Sequence, residues 1–243
     1  MENQIIDSSQ SIDLYATQNQ ISIRKKFFLE NKSTKIQKIQ NNSYLTKKLF
    51  HAVQHGYLNY LEMVPKGFLK DSLNVTDERN GLSLLHYAVL ENHLDILSFL
   101  LEFKPNINII ALKKVRPIHL ASQKGHVEII ELLCKQKSLY IDATDDKGQT
   151  ALHISCRRGH KEVLKVLLQN GASVHKLESD EISVMHHPVR RNDLEMINIL
   201  FLYNAPLNVK NNNGQTPIMI AAIEGYAELF SILILKCTIY YFK

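Results

Sequence analysis

The sequence predicts an all-α solenoid of six helix-turn-helix repeats with short hairpin loops, preceded by a polar tail, and three observations predict it. First, a four-residue pattern recurs at Ser83-Leu84-Leu85-His86, Arg116-Pro117-Ile118-His119, Thr150-Ala151-Leu152-His153, Ser183-Val184-Met185-His186 and Thr216-Pro217-Ile218-Met219, at steps of 33 or 34 residues. A fixed period of this length marks stacked supersecondary units, each unable to bury its apolar face alone. Second, every copy is followed by an apolar stripe with helical spacing, such as Val163, Leu164, Val166, Leu167 and Leu168. Third, turn residues fall between the stripes at constant offsets.

Residues 145–177 state the unit most completely. Asp145, Asp146 and Lys147 lead into Gly148, which takes positive φ at no steric cost and so predicts a tight turn. Thr150 is placed as an N-cap, residues 151–158 form a short helix, Gly159 ends it, and a second helix runs from about His160 until Gly171. Neither helix is long enough to be stable alone. The signature has a physical reading, from which Arg116 departs by replacing the capping Thr. Ser83, Thr150, Ser183 and Thr216 cap the first helix, and Pro117 and Pro217 occupy a first helical position whose N–H would be unpaired anyway.

These signatures resemble the Thr-Pro-Leu-His motif of ankyrin repeats, whose period is about 33 residues, over roughly residues 42–243. The resemblance implies that His86, His119, His153 and His186 hydrogen-bond to neighbouring loop backbone, a role closed to Met219. It also implies binding through hairpin tips and the helix face lining a concave groove.

Along the chain, residues 1–41 are rich in Gln, Asn, Ser and Lys, a composition expected to be disordered. Arg24, Lys25 and Lys26 beside Phe27 and Phe28 form its one basic cluster, read as an unremarkable tail segment rather than a targeting signal. The first repeat, 42–77, lacks the signature, as suits a terminal unit with one neighbour. The others are placed at 78–110, 111–144, 145–177, 178–210 and 211–243, with stripes that include Ile96, Leu97, Leu100 and Leu101; Ile129, Ile130, Leu132 and Leu133; Met196, Ile197, Leu200 and Phe201; and Leu229, Phe230, Leu233 and Ile234. Repeat five departs furthest, with Glu181 and Asn192 at glycine positions and Pro188 inside its first helix, and is expected to be kinked and weak.

Composition excludes several classes. Three cysteines without paired spacing argue against a disulfide framework and for a reducing, intracellular and chiefly cytoplasmic setting. The sequence from Met1, with no basic n-region and apolar core, is expected not to be a secretory signal, and the apolar run 229–242 is broken by Lys236 and falls short of the roughly 20 residues of a spanning helix. A net charge of +5 does not imply a nucleic-acid partner. His153, Cys156 and His160 have zinc-compatible spacing, but both histidines fill positions expected of the family and a fourth ligand is missing. With no catalytic constellation, cofactor motif or metal site, the chain is expected to be a non-catalytic protein-interaction adaptor or scaffold.

The sharper feature is the residue pair before each inter-helix turn. It reads Leu90-Glu91, Gln123-Lys124, Arg157-Arg158, Arg190-Arg191 and Ile223-Glu224, so three consecutive repeats are basic. Lys124, Arg157, Arg158, Arg190 and Arg191 are expected to receive an acidic or phosphorylated protein segment, Arg supplying bidentate contacts. The alternative is a solvated face whose cations pair with Asp145, Asp146 or Asp193. By family resemblance, Arg79, Asn80, Lys113, Asp146, Lys147, Gln149, Asn212 and Asn213 at the hairpin tips join the partner surface.

Two other settings share this array. It is loosely similar to the N-terminal ankyrin region of an ankyrin-type transient receptor potential cation channel, of which this chain would be a truncated part. An intracellular effector is the other. The apolar terminus containing Phe230, Ile232, Leu233, Leu235 and Tyr240 is expected to need a partner or a further repeat.

Overall fold

The structure, a computed structural model, describes residues 35–241, with side chains from 43 to 238. Residues 1–34, including the basic cluster at 24–26, lie outside the described residues.

Among the described residues there are thirteen α-helices, all but one in consecutive pairs. They are α1 (Lys35–Gln54), α2 (Leu58–Met63), α3 (Lys66–Ser72), α4 (Leu84–Leu90), α5 (Leu94–Glu102), α6 (Pro117–Lys124), α7 (Val127–Cys134), α8 (Ala151–Arg158), α9 (Lys161–Gln169), α10 (His186–Arg190), α11 (Leu194–Leu202), α12 (Pro217–Ile223) and α13 (Ala227–Tyr241). The helices α1, α4, α6, α8, α10 and α12 stack in one row; α5, α7 and α9 stack behind it. The two rows enclose a single core.

The apolar stripes supply that core. Ile96, Leu97 and Leu100 on α5 recur as Ile129, Ile130 and Leu133 on α7, Val163, Leu164 and Leu167 on α9, and Met196, Ile197 and Leu200 on α11, all fully buried. The stripe is narrower than the sequence implies. Leu101, Leu132, Phe201 and Phe230 only lean on the core, and Ile234 is 42% exposed.

The loops between pairs are hairpins whose tips are joined by backbone hydrogen bonds, Asp146 N–H to Lys113 O (2.9 Å), Ser179 N–H to Lys147 O (2.9 Å) and Asn212 N–H to Asp180 O (3.1 Å). Their left-handed position is Gly81, Gly148 or Gly214 where glycine is present, but Lys114 and Glu181 hold it at φ 55° in the other two. The backbone requirement therefore survives the loss of the residue that meets it most cheaply.

Two elements differ from expectation, and in repeat five, expected to be kinked, Ser183 is not the N-cap it was placed as. Helix α1 begins at Lys35, so its first turns occupy residues assigned to the tail. Pro65 splits the second helix of the first repeat into α2 and α3. In repeat five, α10 has only five residues and starts three positions after Ser183, whereas α4, α6, α8 and α12 start directly after their caps. Pro188 has no N–H to return to Val184, so the first turn opens before the helix is established.

Candidate interaction surface

Two side-chain networks hold successive repeats together, and they decide which residues remain for a partner. The first runs through the signature histidines. Nδ1 accepts the backbone N–H three residues upstream, from Ser83 to His86 (3.1 Å), Arg116 to His119 (3.1 Å) and Ser183 to His186 (3.0 Å). That fixes the proton on Nε2, which donates onward to Val115 O (3.2 Å), Ala143 O (2.8 Å) and Gln215 O (3.2 Å) of the following loop. His153 keeps the local half, with Nδ1 2.9 Å from Thr150 Oγ1, while its buried Nε2 is drawn toward the Lys176 and Ile182 carbonyls without closing a good hydrogen bond. Burial holds these rings neutral, lowering His86 and His153 to about 4 and displacing His119 and His186 in the same direction. Met219 breaks the series and is exposed.

The second network lies at the opposite end of the first-row helices and was not legible in the sequence. At four of the five junctions the carbonyl two residues before the left-handed inter-helix residue accepts from a side chain of the next repeat: Gln54 O from His93 Nε2 (3.3 Å), Gln123 O from His160 Nε2 (3.2 Å), Arg157 O from Arg191 Nη1 (3.4 Å) and Arg190 O from Tyr226 OH (3.3 Å). Repeat five has Asp193 where the earlier repeats have His93, His126 and His160, and Arg191 takes over the contact. Its guanidinium lies so close to the Gly159 Cα that any Cβ there would collide with it.

This network reshapes the expected basic ladder. Lys124, Arg158 and Arg190 are exposed, Arg157 is half-buried with its Nε enclosed, and Arg191 is exposed but spends one N–H on the fold. Two of the three acids proposed as their counter-charges, Asp145 and Asp193, are occupied elsewhere, and exposed Asp146 forms no ion pair among the described residues. Asp145 accepts from the Lys147 and Gln149 backbone (both 2.9 Å), and Asp193 caps Met196 and pairs with Lys161 (3.4 Å). Among the described residues no ladder cation forms an ion pair with a carboxylate.

The hairpin-tip residues divide likewise. Arg79, Lys113, Asp146, Lys147, Asn212 and Asn213 are exposed, whereas the Asn80 amide donates to Tyr87 OH (3.1 Å). Gln149 leaves the candidate surface. It is 3% exposed, and its Nε2 donates to Glu178 (2.7 Å) in the next repeat. Glu178 also accepts from His187 Nε2 (2.6 Å); burial pushes its carboxyl up, but these hydrogen bonds outweigh that and hold it below the usual range. With Lys161 and Lys165 reaching Glu195 (2.8 and 3.4 Å), this cluster ties repeat five to repeat four where Pro188 weakens it.

His153, Cys156 and His160, with metal-compatible spacing in sequence, are held apart by separate roles: a cap, a fully buried thiol whose pKa burial raises, and an inter-repeat contact. Among the described residues no cluster of His, Cys, Asp or Glu is placed to hold a metal ion, and no helix is long and apolar enough to cross a membrane. Lys236, which interrupts the C-terminal apolar run, sits over the Phe201 ring at 3.9 Å.

Known proteins share this architecture. Models of ankyrin repeats match residues 85–178 (three copies) and 184–234 (many copies), together more than half of the chain. The chain is 25% identical over 87% of its length to the nuclear factor NF-kappa-B p105 subunit of Gallus gallus, covering 22% of that protein. It is 24% identical over 76% of its length to the human transient receptor potential cation channel subfamily A member 1, covering 17% of it. With the probable 26S proteasome regulatory subunit p28 of Saccharomyces cerevisiae it shares 28% identity over 69% of the chain and 75% of the relative. The chain thus spans only about a fifth of the first two relatives. The period, the capped helices, the histidine links and these matches agree: the chain belongs to the ankyrin repeat family.

Proposed function

We propose that this chain is a non-catalytic interaction module that holds an acidic or phosphorylated segment of a partner protein against the cations at the C-terminal ends of its first-row helices. Ankyrin repeats are in general protein-protein interaction modules, which sets the class of function. The observation that carries the finer reading is that Lys124, Arg158, Arg190 and Arg191 crowd one edge of three successive repeats with no carboxylate partner among the described residues. Like charges so placed repel, while the fold returns only the modest attraction of a helix C-terminus for each cation and one hydrogen bond from Arg191 to Arg157 O. A carboxylate or phosphate ligand relieves it, with Arg158 and Arg190 available for paired N–H contacts. Arg79, Lys113, Asp146, Lys147, Asn212 and Asn213 at the tips extend the surface. Free cysteines, Cys156 fully buried, suit a reducing compartment.

The array similarity to the cation channel is matched by similarity to p105 and the proteasome subunit, and favours none of these settings. The test replaces Lys124, Arg158 and Arg190 with Ser or Gln and measures capture of acidic and phosphorylated peptides against salt. The proposal expects affinity to fall about tenfold or more and its salt dependence to flatten, since surface ionic contacts are screened. Unchanged capture with an unchanged salt slope would sink it.

A further inference from the structure

The residue immediately before the left-handed inter-helix position is Glu91, Lys124, Arg158, Arg191 and Glu224 in repeats two to six, preceding Asn92, Gly125, Gly159, Asn192 and Gly225. All five are exposed, all five end or cap a first-row helix, and none is in an ion pair among the described residues. One line of equivalent sites therefore reads negative, positive, positive, positive, negative. Neighbouring repeats are bridged at this end by single side chains, His160 to Gln123 O, Arg191 to Arg157 O and Tyr226 to Arg190 O. The step along the line is thus one inter-helix distance, about 8–10 Å. An extended peptide advances about 3.3 Å per residue, so about three of its residues match one step.

We propose that the line selects an extended segment of about 13 residues with acidic or phosphorylated residues at three positions spaced i, i+3 and i+6 and a basic residue three positions beyond each end. This rests on the basic-strip reading above and adds its register and its ends. Lys124 and Arg158 meet the first two anions, and Arg191 meets the third with the N–H groups its Arg157 contact leaves free. Glu91 and Glu224 receive the flanking cations and repel any polyanion that continues past the third position. That stop distinguishes a short acidic protein segment from a nucleic acid, whose charge does not end.

The experiment titrates the full chain into a fluorescently labelled 13-residue peptide carrying Lys at positions 1 and 13, Glu at 4, 7 and 10, and Ser or Gly elsewhere. A phosphoserine version separates phosphate from carboxylate. The controls are an isomer with the three Glu contiguous, a version with Glu at both ends, and a single-stranded RNA of equal length. The register peptide is expected to bind about five- to tenfold more tightly than its isomer, and each terminal Lys→Glu change to weaken binding about two- to fivefold. The E91K/E224K variant, altered outside the basic residues, should reverse the end preference, binding the Glu-ended peptide more tightly than the Lys-ended one.

Equal binding of isomer and register peptide, still lost in the Lys124→Ser, Arg158→Ser, Arg190→Ser variant, overturns the register while leaving the basic strip standing. Peptide binding that survives that variant, or no peptide binding at all, overturns both. Tighter binding of RNA than of the register peptide overturns the proposed ends.

Discussion

The Nδ1 of His86, His119 and His186 faces a backbone N–H, so a second ring proton has no room to form without breaking the cap. These rings stay neutral in the folded chain because burial lowers their pKa, to about 4 for His86 and His153, while the unfolded rings titrate near the ordinary value of about 6.5. Between those values the unfolded state binds more protons, so stability is full above pH 6.5 and declines as pH falls toward 4, each ring contributing up to about 1.4 kcal/mol per pH unit. Chemical denaturation at pH 7.5 and pH 5.5 should show the array markedly weaker at the lower pH, and a His86→Gln, His153→Gln variant should flatten that difference. Gly159, at φ 81°, lies against the Arg191 guanidinium. Gly159→Ala should cost about 1–2 kcal/mol from backbone conformation alone, and Arg191→Ser in that background should recover only the part due to the collision. Conversely Glu181→Gly, at φ 55°, should stabilise by about 1 kcal/mol in thermal unfolding.

At the scale of the element, repeat five joins two opposing features. Pro188 shortens α10 and removes a helical hydrogen bond, while Gln149, Glu178 and His187 on one side and Lys161, Lys165, Asp193 and Glu195 on the other bind the repeat to its neighbour. Hydrogen exchange should find amides at 183–192 less protected than those at 150–159, and Pro188→Ala should raise stability by about 1–3 kcal/mol. Equal protection of the two stretches would show that the tethers fully offset the missing bond. What could be read in the sequence follows the same division. Caps, turn positions and apolar stripes are local, each set by residues within one or two turns, so the period, the helix pairs and the exposed cations were all visible. The contacts of Arg191 with Arg157 O and of Gln149 with Glu178 join residues 34 and 29 positions apart. They depend on how far a side chain reaches across the repeat step. Gln149 accordingly looked like a tip residue and is buried, and Arg191 looked free and is partly engaged. The one available signal was the replacement of His93, His126 and His160 by Asp193, which leaves the contact to Arg191.

For the whole molecule, one continuous core runs from Leu49 to Leu233 through contacts between adjacent repeats, so stability is close to a sum of unit and neighbour terms. Leu164→Ala, in the middle, should cost about 2–5 kcal/mol and loosen repeats three to five together rather than one helix. The same stacking turns five ordinary helix ends into a line of charge from Glu91 to Glu224. Amide chemical-shift mapping of the labelled full chain with an acidic peptide tests that this line is where partners bind. Shifts concentrated at Lys124, Arg158 and Arg191 and their turns, weakening as salt is added, are predicted. Shifts confined to the second-row helices α5, α7 and α9, or none along the line at saturation, would contradict the account.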